Sequence, residues 1–369
     1  MSLQSDSQST IKTFNVGLIF AMLVVFGLGV LTLYSATKGP GIQHIYRTQI
    51  IWFFVGCLLV SPLVFVDSQV LQKVAYPLYG MCLVLLIATL AIGQVGGGAQ
   101  RWLRLGFLPA IQPSEFAKVA IVFALARYFS EERKGAPYTL RRLLTPGLLV
   151  TPLFILILLQ PDIGTAGILF LAAASIIFFL KVDWRSIAIV CLSVLIVVPL
   201  AYKFVLRDYQ RQRVITFLDP GKDPRGSGYN ALQCRIAVGG GKVIGKGFLK
   251  GTQAQLNFIP EQHTDFIFSV YAEERGFVGG VLLLLLYGTY LFFAFRSVGR
   301  ARDKFEMLLA TGCAAILFWH VFINIGMVIG VLPIVGVTLP FFSYGGSSLI
   351  TFLIVTALLL NVGRKKYIF

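Results

Sequence analysis

A cluster of acidic and polar residues stands where a polar stretch of the sequence gives way to a long apolar run. Thr264 and Asp265 come directly before that run, and Ser269 and Glu273 follow Asp265 at steps of four residues. This spacing places side chains on one face of a helix. Thr264 or Asp265 would suit a helix cap, because an acid there complements the helix dipole. The polar stripe favours a catalytic carboxylate over a plain cap, although it is equally compatible with a polar cavity that has no chemistry.

Two further acids stand at the start of apolar runs. Glu115 and Lys118 are three residues apart and follow Pro113, which suits the first turn of a helix. The two side chains either neutralise each other, or Glu115 orients Lys118 toward a phosphate or holds a metal ion. Asp162 lies in the turn 160–165. It is either a helix N-cap or a second carboxylate over the same cavity, and therefore a second candidate metal ligand.

The polar stretch before Asp265 is long and basic. Residues 208–213 include Arg211 and Arg213, and residues 239–253 combine glycines with lysines. Backbone N–H groups in glycine turns, together with Lys or Arg, suit a diphosphate. The alternative is a basic loop near lipid headgroups, which is common. The stretch lacks the spacing of a P-loop.

Other chemistries lack their residues. His44, His263 and His320 are far apart in sequence, and no HExxH or CxxC spacing occurs, which argues against a zinc site. No GxSxG motif occurs, so a serine hydrolase lacks its signature. Of the five cysteines, all but Cys234 lie in apolar runs, and no disulfide framework is implied.

Composition indicates which elements position these groups. Apolar residues make up 57% of the 369 residues and charged residues only 13%, whereas soluble domains average about 45–50% and about 25%. This contrast excludes an ordinary soluble enzyme, a disordered chain and a nucleic-acid-binding domain, despite a net charge of +16. The sequence predicts an all-α, polytopic integral membrane protein.

The apolar runs predict about ten transmembrane helices, since each crossing needs about 20 apolar residues. The predicted helices lie near 15–36, 49–66, 75–93, 113–128, 144–160, 163–180, 184–205, 266–295, 306–331 and 343–362. One transmembrane domain then covers residues 1–369, with tails at 1–14 and 363–369. A long loop, 206–264, separates helices seven and eight. Its mixture of Gly-rich turns and apolar residues favours a functional loop over a disordered one.

The distribution of basic residues predicts the orientation. Sixteen Lys and Arg residues lie in the segments 1–14, 67–74, 127–143, 181–185, 296–304 and 363–369. Four lie in the opposite short segments, which are 37–48, 94–112, 161–162 and 332–342. Because basic residues concentrate in cytoplasmic loops, both termini are predicted to be cytoplasmic. The long loop and the acids then face outward, which suits an anionic, lipid-linked substrate that either reacts or crosses the membrane.

Blocks of sequence along most of the chain resemble the SEDS family. The longest is GTQAQLNFIPEQHTDFIF at 251–268. The others are GAQRWL (98–103), QPSEFAK (112–118), QPDIGT (160–165), DYQRQRV (208–214), NIGM (324–327), LPIVGV (332–337) and PFFSYGGS (340–347). Residues 210–214 and 251–260 resemble the elongation-type branch of the family more than the division-type branch.

The resemblance implies a peptidoglycan glycosyltransferase of the cytoplasmic membrane that polymerises lipid II. The donor is the glycan strand on undecaprenyl diphosphate, the acceptor is the 4-hydroxyl of the lipid II GlcNAc, and an inverting reaction makes a β-1,4 link. Asp265 matches the essential Asp of the family, the general base. The family uses a divalent cation, Mg²⁺ or Mn²⁺. Its partners are a class B penicillin-binding protein, which is a transpeptidase, and other membrane proteins of the elongation complex.

The residues fit this chemistry. An inverting displacement needs one base and neutralisation of the leaving diphosphate. We expect Lys118, Arg101 and Arg213 to neutralise the diphosphate. Glu115 and Asp162 are expected to line the cavity.

The chain departs from the family pattern at Gly239–Gly241, Ser269 and Arg275. Arg275 is placed to pair with Glu273 or Glu274, which leaves the roles of these two acids open.

Three other functions remain compatible with the residues. A lipid II flippase or other transporter also uses intramembrane charges, but it should expose them to both sides, whereas the acids here map to one. A non-catalytic scaffold would not need the stripe of Asp265, Ser269 and Glu273. Within the family, the alternative is a division-type glycosyltransferase.

Overall fold

The computed structural model of the chain is mostly helical. It describes residues 15–38, 44–96, 99–104, 110–132, 137–190, 192–193, 195, 211, 217, 227–256, 258–259 and 261–364. In chain order the helices are α1 Val16–Ala36, α2 His44–Val60, α3 Ser68–Ile92, α4 Pro113–Glu131, α5 Leu140–Leu159, α6 Ile163–Phe179, α7 Ser227–Gly240, α8 Thr252–Gln255, α9 Ile267–Val298, α10 Lys304–Ile329 and α11 Gly346–Gly363. A 3-10 turn, Ser61–Phe65, continues α2.

The fold is that of a polytopic membrane protein, as the sequence predicts. Within the described part of the chain, seven helices are long and apolar enough to cross a membrane: α1, α2 with its 3-10 turn, α3, α5, α9, α10 and α11. Helix α6 is apolar but has 17 residues, and α4 carries two charges near its start. Residues 184–190 are helical, but most of the predicted helix 184–205 beyond them lies outside the described residues. The other nine predicted helices each have a counterpart, and the count of ten crossings stays a prediction.

Three helices form the centre of the molecule. In the most apolar stretches of α10 and α11, 72% and 83% of the residues are buried inside the protein. Helix α4 is buried along most of its length. Helix α4 packs against α3, α6 and α10. Peripheral helices instead expose large apolar side chains such as Phe20, Leu58 and Leu285. A lipid bilayer provides the apolar surroundings that such a surface requires.

A short β-hairpin is an exception to the predicted all-α class. Strand β1, Gln94–Gly96, pairs antiparallel with β2, Ala99–Trp102. A further antiparallel bridge joins Leu103 to Ile111 and leads the chain to the start of α4. These strands were not predicted, because three or four residues are too few to show the alternation of a strand.

Part of the long loop completes a break in α9. The helix is interrupted at Gly276, where φ is 66° and ψ is −165°. Four main-chain hydrogen bonds with N···O distances of 2.9–3.1 Å join residues 273–278 to residues 242–247. These bonds satisfy the backbone groups that the interrupted helix leaves unpaired. A Cβ atom on Gly276 would collide with the amide nitrogen of Gly245, so the junction requires glycine. The sequence predicted neither this junction nor α7.

Candidate active site

Asp265 lies just before α9 and is held through its main chain. The N-cap position of the helix is Phe266, and it has no side-chain cap. The carbonyl oxygen of Asp265 accepts a hydrogen bond of 2.9 Å from the side-chain amide of Asn324 on α10. The same amide donates to the carbonyl oxygen of Val337 at 2.6 Å. One side chain therefore fixes Asp265 to the segment that follows α10, while Asp265 as a whole stays partly exposed.

The backbone beside the Asp265 carboxylate favours glycine. Gly336 has a φ of 72°, and a Cβ atom on it would lie 3.2 Å from Oδ2 of Asp265. Glycine adopts this left-handed conformation without a steric penalty and lets the chain approach the carboxylate closely.

His263 ties the start of α9 to the same segment. Its carbonyl oxygen accepts a hydrogen bond of 2.9 Å from the N–H of Tyr344, and the two rings lie 6.0 Å apart. Burial lowers the pKa of His263 below its ordinary value, and the negative charge of Glu261 partly opposes this shift. The ring is therefore neutral near pH 7 and adds no positive charge beside Asp265.

Glu115 and Lys118 form a buried ion pair with a third member. The Lys118 side chain is completely buried, and its Nζ lies 2.9 Å and 3.0 Å from the two oxygens of Glu115. It also lies 2.7 Å from Nε2 of His320 on α10. Nδ1 of His320 lies 3.0 Å from the carbonyl oxygen of Thr338. The predicted self-neutralising pair therefore exists.

Asp162 serves as a helix cap and as a link between helices. It is 2% exposed. Its Oδ1 accepts the N–H of Thr165 at 3.2 Å, which is the capping bond of α6. Its Oδ2 accepts hydrogen bonds from Nε2 of Gln112 at 3.0 Å and from Oγ of Ser114 at 3.3 Å. The carboxylate thus joins the start of α4 to the start of α6.

The segment 332–345 lies between Asp265, the Glu115–Lys118 pair with His320, and the start of α6 at Asp162. On one side Gly336 faces Asp265, and on another the Thr338 carbonyl binds His320. Helix α6 also packs closely against this segment, since a Cβ atom on Gly164 would lie 2.6 Å from the carbonyl oxygen of Val335. Residues far apart in sequence therefore surround one short stretch of backbone.

Arg101 supports the turn that contains Asp162. From β2, its Nε donates to the carbonyl oxygen of Gln160 at 3.1 Å, and its guanidinium also donates to the carbonyl oxygen of Pro161. The guanidinium lies 4.0 Å from Asp162, and 26% of the Arg101 side chain is exposed. Arg213, the third residue predicted to neutralise a diphosphate, lies outside the described residues. The roles of all three bases stay predictions.

The polar stripe after Asp265 does not line a cavity, contrary to one of the two interpretations above. Ser269 and Glu273 are fully buried. Oε1 of Glu273 forms a salt bridge of 2.6 Å with Nζ of Lys246. It also accepts the N–H groups of Thr252 and Gln253, at 2.9 Å and 3.1 Å. Ser269 and Glu273 lie one turn apart on α9, as the helical spacing predicts, but the loop covers Glu273, and Asp265 lies before the helix.

The Gly-rich loop binds carboxylates of the protein itself, on Glu273 and Glu274. Its backbone N–H groups around residues 249–253 donate to the carboxylates of Glu273 and Glu274. Glu274 also accepts a hydrogen bond from the hydroxyl of Ser35 on α1. These N–H groups, which were predicted to suit a diphosphate, therefore hold the loop on α9. Arg275 lies over the ring of Phe248, with 5.6 Å from its Cζ to the ring centroid.

The oxygens of Glu115 and Asp162 are already engaged inside the protein, and their assignment as ligands of a divalent cation stays a prediction. Both oxygens of Glu115 accept from Lys118, and both oxygens of Asp162 accept hydrogen bonds inside the protein. Across the described ranges, no group of three or more His, Cys, Asp or Glu residues could hold a metal ion.

Sequence reasoning missed His320 and Asn324 as parts of this site. In the sequence, His320 suggests only a zinc ligand, which the spacing argues against, and Asn324 belongs only to a motif. Two signals could have identified them. Polar residues within an apolar run usually have a function, and a spacing of four residues places both on one face of α10.

Known proteins are similar in sequence to this chain over most of its length. The FtsW/RodA/SpoVE family of cell cycle proteins matches residues 9–368. The peptidoglycan glycosyltransferase MrdB of Escherichia coli K12 is 39% identical over 349 residues, which covers 95% of this chain and 93% of MrdB.

Solved structures share the fold as well. A chain from a peptidoglycan synthase complex, studied for its coordination of polymerization and crosslinking, superposes with a TM-score of 0.82 at 35% identity. The match covers 95% of this chain and 98% of that one. RodA of Thermus thermophilus, a rod shape determining protein, superposes with a TM-score of 0.71 at 31% identity, covering 95% and 97%.

Proposed function

Because the chain belongs to the SEDS family, that of FtsW, RodA and SpoVE, we propose that it is a peptidoglycan glycosyltransferase of the elongation type. It polymerises lipid II into β-1,4 glycan strands. The observation that carries this proposal is the setting of Asp265. Its main chain is fixed by Asn324, its carboxylate lies against Gly336, and the residue remains partly exposed.

Asp265 is the general base of the proposed reaction. It accepts the proton of the GlcNAc 4-hydroxyl as the hydroxyl oxygen bonds to C1 of the donor sugar. The bond between C1 and the diphosphate oxygen breaks with inversion, and its electron pair leaves with undecaprenyl diphosphate. A base must lie within hydrogen-bond reach of the proton it removes. The hydrogen bond from Asn324 to the carbonyl oxygen of Asp265 supports that requirement.

The leaving diphosphate needs positive charge nearby. Lys118, Arg101 and Arg213 are the proposed sources, as in the sequence prediction. Lys118 acts as the positive end of a fixed ion pair, because its ammonium group is already bonded to Glu115 and His320. A buried charge acts over a longer distance than one in water, since the surrounding dielectric constant is lower.

A divalent cation, Mg²⁺ or Mn²⁺, is also part of the proposal, and it neutralises charge on the diphosphate when bound. Glu115 and Asp162 are already engaged, so the cation is proposed to bind mainly through substrate phosphates and water, which is common for Mg²⁺.

The proposed location is the cytoplasmic membrane, with both termini in the cytoplasm and Asp265 on the outer face. The excess of basic residues in one set of loops supports this orientation. The proposed partner is a class B penicillin-binding protein within the elongation complex. The similarity to a chain from a peptidoglycan synthase complex supports such a partner.

The direct test is polymerisation of lipid II by the purified protein with its transpeptidase partner. We compare wild type with Asp265→Asn and with Glu261→Gln, a neighbouring exposed acid that serves as the control. Wild type and Glu261→Gln should form glycan strands. Asp265→Asn should lose about 100-fold or more in rate, which is within the range for a general base. Normal polymerisation by a folded Asp265→Asn variant would refute the assignment.

Depletion of the protein in its own host separates the elongation role from the division-type alternative. An elongation enzyme should be needed for cylindrical growth, so depleted cells should become round. Filaments that fail to divide would instead support the division-type function.

A further inference from the structure

Two side chains on one face of α10 hold the same stretch of backbone. His320 binds the carbonyl oxygen of Thr338, and Asn324 binds that of Val337. Their spacing of four residues places them one helical turn apart. Both are buried, with exposures of 2% and 0%. Together they fix the stretch 336–338, which begins with the glycine that faces the Asp265 carboxylate.

The hydrogen bonds of His320 define its tautomer. A carbonyl oxygen only accepts, so Nδ1 carries the hydrogen that bonds to Thr338. A second hydrogen on Nε2 would point at the Lys118 ammonium group, 2.7 Å away, and would place two positive charges in contact. Nε2 therefore accepts a hydrogen bond from Lys118, which donates its other hydrogens to Glu115.

The far ends of the two side chains reach different parts of the site. His320 contacts the Lys118 ammonium group, and Asn324 contacts the carbonyl oxygen of Asp265. The buried Glu115–Lys118 pair and the candidate base are therefore joined through α10 and the stretch 336–338. A continuous network of this kind fixes the position of its members, because each bond is made inside the protein and away from competing water.

We propose that His320 is a positioning residue for the transferase reaction, which holds Lys118 on Glu115 and fixes the backbone against which Asp265 is placed. This inference rests on the proposed function. His320 does not contact substrate. It acts through Lys118 on one side and through the stretch 336–338 on the other.

Three substitutions at His320 test its two hydrogen bonds one at a time and together. In His320→Gln the side-chain oxygen can occupy the position of Nε2 and keep the bond to Lys118. In His320→Asn the side-chain amide can occupy the position of Nδ1 and keep the bond to Thr338. His320→Phe has a similar ring and removes both bonds.

The test measures turnover at saturating lipid II and the lipid II concentration for half-maximal rate, in the complex with the transpeptidase. His320→Phe should lower turnover by about 10- to 100-fold, the range for a misplaced catalytic group, with little change in the half-maximal concentration. His320→Gln and His320→Asn should each recover part of the loss. Thermal unfolding of each variant shows whether it is folded.

A double-mutant cycle with Lys118→Met tests whether His320 acts through Lys118. Residues that act as a unit are not additive, so His320→Phe should cost less in the Lys118→Met background than in wild type, because only the bond from His320 to Thr338 is left to lose. Full additivity, or near-normal turnover in a folded His320→Phe variant, would overturn the inference.

The same assay separates failure of this inference from failure of the proposed function. If wild type polymerises and Asp265→Asn does not, the transferase stands whatever His320→Phe does. Equal rates for wild type and Asp265→Asn would count against the proposed function itself.

Discussion

The carboxylate of Asp265 faces the backbone of Gly336 so closely that a β-carbon on the glycine would lie 3.2 Å from Oδ2. The two residues are more than 70 positions apart in the sequence. Asn324 completes the arrangement by binding the carbonyl oxygens of Asp265 and Val337. The candidate base is thus positioned by the segment after α10 as well as by the helix that it precedes.

Gly336→Ala should impair turnover by displacing the Asp265 carboxylate. A residue with a β-carbon also pays about 1–2 kcal/mol in the left-handed conformation, so stability should fall as well. Gly247→Ala is the matched control, because Gly247 has a φ of 99° and its β-carbon would meet nothing closer than 3.5 Å. Measuring turnover and thermal unfolding for both variants separates backbone strain from the contact with Asp265. Equal losses of turnover in the two would count against a role for this contact.

Asp162→Asn should preserve most of the stability and activity, whereas Asp162→Ala should lose both. Asn caps helices about as well as Asp, and replacing either by Ala costs about 1 kcal/mol. The loss in Asp162→Ala should be larger than this, because Gln112 and Ser114 also lose their acceptor. Polymerisation rates and unfolding midpoints check the order. If Asp162→Asn is stable but inactive, the charge of Asp162 acts on the substrate or a cation.

Glu115→Gln should leave the cation requirement unchanged while lowering turnover. Its two carboxylate oxygens both accept from Lys118, at 2.9 Å and 3.0 Å, so we expect the side chain to serve this ion pair and not the cation. The measurement is the Mg²⁺ concentration that gives half-maximal polymerisation, in wild type and in the variant. A shift of that concentration by about tenfold or more, typical for loss of a group that supports a metal, would show that Glu115 contributes to cation binding.

Glu273→Gln should loosen the loop on α9. The variant loses the charge that binds Lys246 and the N–H groups of Thr252 and Gln253. Hydrogen bonds to a charged group contribute about 1.5–3 kcal/mol, so we expect a lower unfolding midpoint and faster hydrogen exchange at residues 246–253. Glu131→Gln is the control, because its ion pair with Arg127 is solvent-exposed and such pairs contribute about 0–1 kcal/mol. Unchanged exchange in Glu273→Gln would contradict the fastening role.

Much of the fold could be predicted because membrane helices carry a strong local signal. Apolar runs such as those of α1 and α6 identify their helices from composition alone. The hairpin at 94–102 and the break at Gly276 gave no such signal. Their geometry depends on tertiary contacts, for example between residues 242–247 and 273–278, which lie outside any local sequence window.

The candidate site was predicted only in part, for a related reason. Residue type and spacing identified Asp265 and the pairing of Glu115 with Lys118. They allowed Asp162 as a helix cap, but they could not show its bonds to Gln112 and Ser114 or the bonds of Glu273, because those partners are distant in sequence. The Gly-rich loop illustrates this limit. Its N–H groups suit any anion, and only the fold reveals that Glu273 and Glu274 occupy them.

The central claim is that the protein joins sugars at Asp265 and does not merely move lipid II. The most direct measurement uses vesicles that contain the protein with its transpeptidase partner and lipid II confined to one leaflet. Glycan strands and transfer of lipid II between leaflets are measured in the same vesicles, for wild type and for Asp265→Asn. We predict strands from wild type without transfer, and no strands from the variant. Transfer that depends on Asp265, with no strands formed, would contradict the account.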